Sequence, residues 1–155
     1  MDHKDYMRRA LELAAQAGEE GDVPVGCVIV RDWAIVGEGR NRREENGDAT
    51  AHAELEAIDA ACRKLGGWRL WECTLYVTLE PCPMCTGAVI NARLKRLVFG
   101  AYDPKAGSCG SVANLFTLPY NHHPRLYRGP LERECQEILQ DFFQGLREDG
   151  AGENG

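Results

Sequence analysis

Thr74-Leu75-Tyr76-Val77-Thr78-Leu79, followed closely by Pro81-Cys82-Pro83-Met84-Cys85, is the stretch on which the fold turns. Its first part is β-branched, aromatic and almost wholly apolar, which reads as a strand. Its second part opens a helix over Pro81 to Ala92, with Pro83 in the first turn, where its missing N–H does no harm. Downstream, Leu97 to Gly100 is a fourth strand and Asp103 to Gly110 a Gly-containing loop. Asn114 to Leu118 reads as a short helix, and Arg125 to Tyr127 as a short final strand. Leu131 to Leu146 is a helix with an apolar face at Leu131, Cys135, Ile138, Leu139, Phe142 and Phe143. Upstream, His52 to Leu65 is a helix closed by Gly66-Gly67. Arg40 to Ala51 is a polar loop, and Val25 to Val30 is a buried strand. Ala34 to Gly37 starts another strand after a turn at Asp32-Trp33, where Gly would be easier. Tyr6 to Ala17 carries Met7, Ala10, Leu11, Ala14 and Ala17 at helical spacing. The order of elements predicts an α/β sheet with helices on both faces. No repeat or internal boundary breaks it, so one domain is expected over 1–147. The acidic, Gly-rich stretch 148–155 is expected to be disordered.

The chain has 155 residues, enough for one domain with one core. At 44% hydrophobic and 27% charged residues, its balance is that of a soluble globular protein. No apolar run reaches the roughly 18 residues of a membrane helix, and Met1 to Asp5 does not have the build of a signal peptide. A cytoplasmic protein is expected. Seven cysteines then read mostly as small buried hydrophobes, and of them Cys82 and Cys85 alone have metal-ligand spacing. A net charge of −6 argues mildly against a nucleic-acid partner. Basic residues are nevertheless segregated at 40–43, 93–96 and 125–128, so a local basic face is compatible with an acidic whole.

Two short segments carry chemistry, His52-Ala53-Glu54 and Pro81-Cys82-Pro83-Met84-Cys85. Together they match the H-x-E…P-C-x-x-C signature of zinc deaminases. A catalytic zinc takes three protein ligands and keeps a fourth position for water. His52, Cys82 and Cys85 supply three. Cys82 and Cys85, at i and i+3, share a helix face, and a helix N-terminus stabilises thiolates. His52 and Glu54, at i and i+2, diverge in mid-helix and converge only on a site beyond the helix end. Two helix N-termini meeting at one Zn²⁺ is the expected picture, with Glu54 moving protons rather than binding metal. A redox pair would need neither the flanking prolines nor the upstream H-x-E. A structural site would need a fourth ligand, for which Cys62 and Cys73 are the candidates.

On these residues the sequence resembles the cytidine-deaminase-like superfamily, and within it the bacterial tRNA-specific adenosine deaminases of the TadA type. Val23-Pro24-Val25-Gly26, Thr50 to Glu54, Thr78 to Cys85, Val98 to Ala101, Asp103-Pro104-Lys105 and Gly110-Ser111 carry the resemblance, which runs from about Tyr6 to Phe143. It implies a three-layer α/β/α fold with a mixed five-stranded sheet, a homodimer, and hydrolysis of adenosine to inosine at the wobble position of a tRNA anticodon loop. By the same resemblance, Asn41 contacts the target nucleoside and Ala53 offers its backbone N–H to the base. Val25 and Leu79 wall the pocket, Asp103 and Lys105 touch flanking nucleotides, and Asn121 and His122 lie near the RNA. Arg42 and Arg43 read equally well as solvated surface charges. The chain departs from the pattern in its acidic end, in Trp33, and in Cys27 and Cys109. A deaminase of a free base or nucleoside, of guanine or cytosine type, is the competing expectation. A zinc- or RNA-binding module without activity is the third, against which the intact Glu54 stands.

Overall fold

The structure, a computed structural model, describes residues 2–154, and of 149–154 the backbone alone. The expected disordered stretch 148–155 therefore lies almost entirely outside the described side chains.

The first element, α1 (His3–Glu19), starts from a capping box: Asp2 accepts from the Asp5 backbone N–H while Asp5 accepts from that of Asp2. Strands β1 (Gly26–Arg31) and β2 (Ala34–Arg40) follow as a hairpin. Next come a single turn α2 (Arg43–Asn46), helix α3 (Ala53–Leu65), strand β3 (Thr74–Leu79), helix α4 (Pro83–Asn91) and strand β4 (Arg96–Ala101). A 3₁₀ turn at Leu115–Thr117, strand β5 (Arg125–Arg128) and helix α5 (Glu132–Asn154) complete the chain. The sheet order is β2-β1-β3-β4-β5. β1 runs antiparallel to both β2 and β3, whereas β3, β4 and β5 are parallel, so the five-stranded sheet is mixed.

The two-residue period of the central strands sorts their side chains into two cores. Cys27, Ile29, Leu75, Val77, Leu97 and Phe99 face α3 and α4, meeting Ala53, Ala57, Ala61 and Val89. Val28, Val30, Tyr76 and Val98 face α1 and α5, meeting Tyr6, Met7, Ala10 and Cys135. The layers are thus α/β/α, as expected. Small residues set the spacing. A Cβ at Gly37 or Gly39 would run into the α3 backbone, and one at Gly26 into that of α1.

The structure departs from the sequence reading in local ways. The polar loop after β2 contains α2, for which its composition gives no periodic signal. Asp32 and Trp33 both take positive φ, 50° and 68°, so the hairpin turn adopts the twist-compatible conformation without a glycine. None of the described helices is long and apolar enough to cross a membrane.

Candidate active site

The site forms where α1 leaves off, β1 begins, and the carboxyl ends of β3 and β4 pass into their loops. His52 is the residue before the first turn of α3, in extended conformation (φ −87°, ψ 151°). Cys82 stands in the same relation to α4 (φ −73°, ψ 174°), with Pro83 at the first helical position. Neither side chain caps its own helix, so both are free to reach past the helix end. The result is the meeting of two helix N-termini. The Nδ1 of His52 lies 3.8 Å from Cys82 Sγ and 3.5 Å from Cys85 Sγ.

Among the described residues, His52, Cys82 and Cys85 are the one group of three or more such side chains arranged to hold a metal ion. Their spacing fits zinc: tetrahedral bonds of about 2.1 Å to nitrogen and about 2.3 Å to sulfur separate those atoms by about 3.6 Å. Cys62 and Cys73 are not drawn in. The Cys62 thiol faces the Trp68 carbonyl, and Cys73 lies in the core under α3. The hydrogen bond from Cys85, reinforced by His52, pulls the Cys82 thiol down to about 4, while that bond and burial push Cys85 up. A bound dication deprotonates both outright.

Glu54 sits in the first turn of α3, 3% exposed. Burial pushes its carboxyl up to about 7. A group in that range exchanges protons readily near neutral pH.

These groups line a cleft of about 470 Å³, the size of an ordinary small-ligand pocket. Val25, Asn41, His52, Glu54, Leu79, Cys82, Asp103 and Lys105 all border it, so most of the sequence-derived residues are brought together. Cys85 is fully buried behind them.

Two of the expected residues have partners within the chain. The Ala53 backbone N–H is not free for a base, because it donates to Asn41 Oδ1 at 2.9 Å. Asn41 in turn donates through Nδ2 to the Val23 carbonyl at 3.1 Å, so it ties the strand-entry loop to the start of α3. His122 does not border the cleft: its Nε2 pairs with the Leu94 carbonyl at 2.7 Å and its ring meets Trp71 edge-on. That contact seats the His122 ring beside the turn that follows α4.

The cleft also has walls that the sequence did not mark. Tyr102 and Phe143 supply aromatic surface, the latter from α5, whose apolar face was legible but whose target was not. Arg43 borders the cleft and lies 3.7 Å from the buried Asp22; its Nε is buried without a hydrogen-bond partner. Glu80, 1% exposed, lies beneath the Asp103 loop.

Comparison with known proteins agrees with this geometry. The MafB19-like deaminase family matches residues 1–147. A tRNA-specific adenosine deaminase of Bacillus subtilis (strain 168) is 48% identical over 143 residues, which is 92% of this chain and 89% of that protein. Its counterpart in Agrobacterium fabrum is 46% identical over 145 residues, 93% and 95% of the two chains. A solved structure from a study of A-to-I editing by tRNA:A34 deaminases at the wobble position of transfer RNA superposes with a TM-score of 0.85. It is 46% identical, and the match covers 88% of this chain and all of that one. A Bacillus subtilis guanine deaminase is more distant, with a TM-score of 0.65 and 35% identity over 96% and 95% of the chains. By sequence, by fold and by the residues gathered at its cleft, the chain belongs to the MafB19-like deaminase family.

Proposed function

We propose that this chain is a zinc-dependent hydrolase that converts adenosine to inosine at the wobble position of a tRNA anticodon loop. One observation carries the reading: the His52, Cys82 and Cys85 donors converge beside a buried Glu54 at the floor of a cleft. The similarity to adenosine deaminases of transfer RNA supplies the substrate. The metal, when bound, would lower the pKa of a water in its open position toward neutrality.

The remaining work falls to the chain. Glu54 takes a proton from the attacking water and delivers it to the ring nitrogen, then carries the remaining hydroxyl proton of the adduct to the exocyclic amine, which leaves as ammonia as the carbonyl forms. Val25 and Leu79 exclude bulk water from the base. Asn41 holds the cleft wall and has one amide hydrogen left for the nucleoside. Asp103 and Lys105 stand at the mouth, where flanking nucleotides would lie. A loop adenine can be splayed out at little unstacking cost, which suits a closed pocket of this size. The substrate implies that the enzyme works in the cytoplasm. A homodimer accompanies the reading, and the half-exposed Trp68 and Trp71 offer apolar surface for it.

Deamination of a free purine base is the alternative, favoured by the similarity to guanine deaminase and by the net charge of −6. An anticodon stem-loop with adenosine at the wobble position separates the two, assayed beside free adenine, guanine, cytosine and their nucleosides. Inosine in the stem-loop alone, lost in Glu54→Ala, is the expected result. Turnover of a free base alone would overturn the tRNA reading and keep the metal site. A strictly monomeric mass in analytical ultracentrifugation would remove the dimer.

A further inference from the structure

Two glutamates are buried at the site end of the sheet, and the mechanism uses only Glu54. The other, Glu80, follows β3 directly and precedes the metal-binding turn at Pro81-Cys82. It has no cation partner among the described residues. Its carboxylate is saturated by the 103–111 loop instead. Oε1 accepts the backbone N–H of Asp103 at 3.0 Å and the hydroxyl of Ser111. Oε2 accepts the backbone N–H of Cys109 at 3.1 Å and that of Ser111 at 3.0 Å. The loop closes so tightly over the carboxylate that a Cβ at Gly107 would collide with it.

The loop's own geometry grows from this anchor. Asp103, fixed through its N–H, accepts from Lys105 N at 3.1 Å and Ala106 N at 3.2 Å, and its carbonyl accepts from Gly107 N at 2.8 Å. Asp103, Pro104, Lys105 and Ala106 then form one wall of the cleft. A carboxylate buried without a cation is costly, and it is tolerated only where donors replace water. Four donors from one loop meet that condition, and they tie the loop to the residue between β3 and the turn at Pro81-Cys82.

We propose that Glu80 is a positioning residue: its buried carboxylate sets the Asp103–Ser111 loop in the register that presents Asp103 and Lys105 to the nucleotides flanking the target. This rests on the tRNA reading for its substrate but not for its anchoring geometry.

Glu80→Gln keeps the shape while placing an amide N–H₂ against N–H donors. The test compares it with wild type and with Ser111→Ala, which removes a single donor and retains the carboxylate. Misplaced positioning groups weaken binding, so KM for the stem-loop is expected to rise about tenfold or more in Glu80→Gln and less in Ser111→Ala, with kcat changed far less. One zinc per chain is expected to remain in both. Amide hydrogen exchange at Asp103, Cys109 and Ser111 is expected to quicken, with β1 and β3 unchanged. Should Glu80→Gln fail to fold, Ser111→Ala decides alone.

Unchanged exchange and KM in the folded variants would overturn the proposal. So would a fall in kcat that tracks loss of zinc, which would make Glu80 merely a support for the metal helix. If wild type ignores the stem-loop but the three amides still quicken, the tRNA reading fails and the anchoring stands, with KM then read on whichever substrate is turned over.

Discussion

The two ends of the sheet are built on different principles. At the end where β3 and β4 finish, polar side chains are buried: Asp22, Asn41, Glu54, Thr78, Glu80, Thr86 and Ser108 are all less than a tenth exposed. At the opposite end, where β3 and β4 begin, Thr74 is the one comparable residue among those described. There, Trp33 stands 77% exposed, and the Lys95–Glu72 pair lies on the surface. Buried polar groups cost free energy unless they are hydrogen-bonded, and the site end satisfies them by cross-linking loops. Asn41 joins Val23 to Ala53, Asp22 accepts from Val23 and Glu44, and Glu80 gathers Asp103, Cys109 and Ser111. The difference teaches that buried polar cross-links are concentrated where chemistry needs loops held in place, and that the far end is held mainly by apolar contacts, surface pairs and the hydroxyl bonds of Tyr6 and Tyr76.

The largest effect expected from this contrast is on metal removal. Chelation should abolish deamination, and added Zn²⁺ should restore it; activity that survives chelation and a metal-free assay would break the site half of the comparison. Glu54→Gln comes next. It should lower kcat by about 10²- to 10⁴-fold, the usual worth of a positioned acid–base group, while zinc content and melting temperature hold. Asn41→Ala sharpens the stability side. It leaves the Ala53 N–H without its partner and takes one of two donors from the Val23 carbonyl, which keeps the Val25 N–H, for a loss of about 1–3 kcal/mol in urea unfolding. At the far end, Lys95→Ala removes an exposed pair and should cost at most about 1 kcal/mol. Activity on the stem-loop should be unaffected. A loss there as large as that from Asn41→Ala would erase the distinction between the ends.

The smallest effect is confined to alkaline pH. Tyr76, at the far end, meets His3 through its hydroxyl and is pushed up to about 12, chiefly by burial and then by Tyr6, with Arg96 opposing. A pKa raised above its ordinary value of 10 means that the folded state keeps the proton longer. The stability this supplies is complete below pH 10 and is lost as pH climbs through 12. Tyrosinate absorbance should therefore show a late-titrating tyrosine that disappears in Tyr76→Phe.

Much of this molecule is legible in sequence because its signals are local. The strand Thr74–Leu79 has the bounds its composition predicts, since six apolar or β-branched residues end at Glu80-Pro81. The donors at His52, Cys82 and Cys85 were legible in the paired H-x-E and P-C-x-x-C motifs, because His52 and Cys82 stand just ahead of their helices and Cys85, three residues on, shares the face of Cys82. Helix ends shifted by a few residues, as α1 did, since capping by Asp2 and Asp5 extends it past the periodic stretch.

What only tertiary structure decided are the partners of polar groups far apart in sequence. Ala53's N–H could have faced a base, yet Asn41, 12 residues earlier, takes it. His122 could have faced RNA, yet it reaches back 28 residues to the Leu94 carbonyl. Glu80 looked like punctuation between a strand and a helix until a loop up to 31 residues on supplied its donors. Periodicity and spacing fix which face a side chain takes on its own element. Which loops meet above that face depends on the packing of the whole sheet, and hydrogen-bond partners follow from that meeting alone.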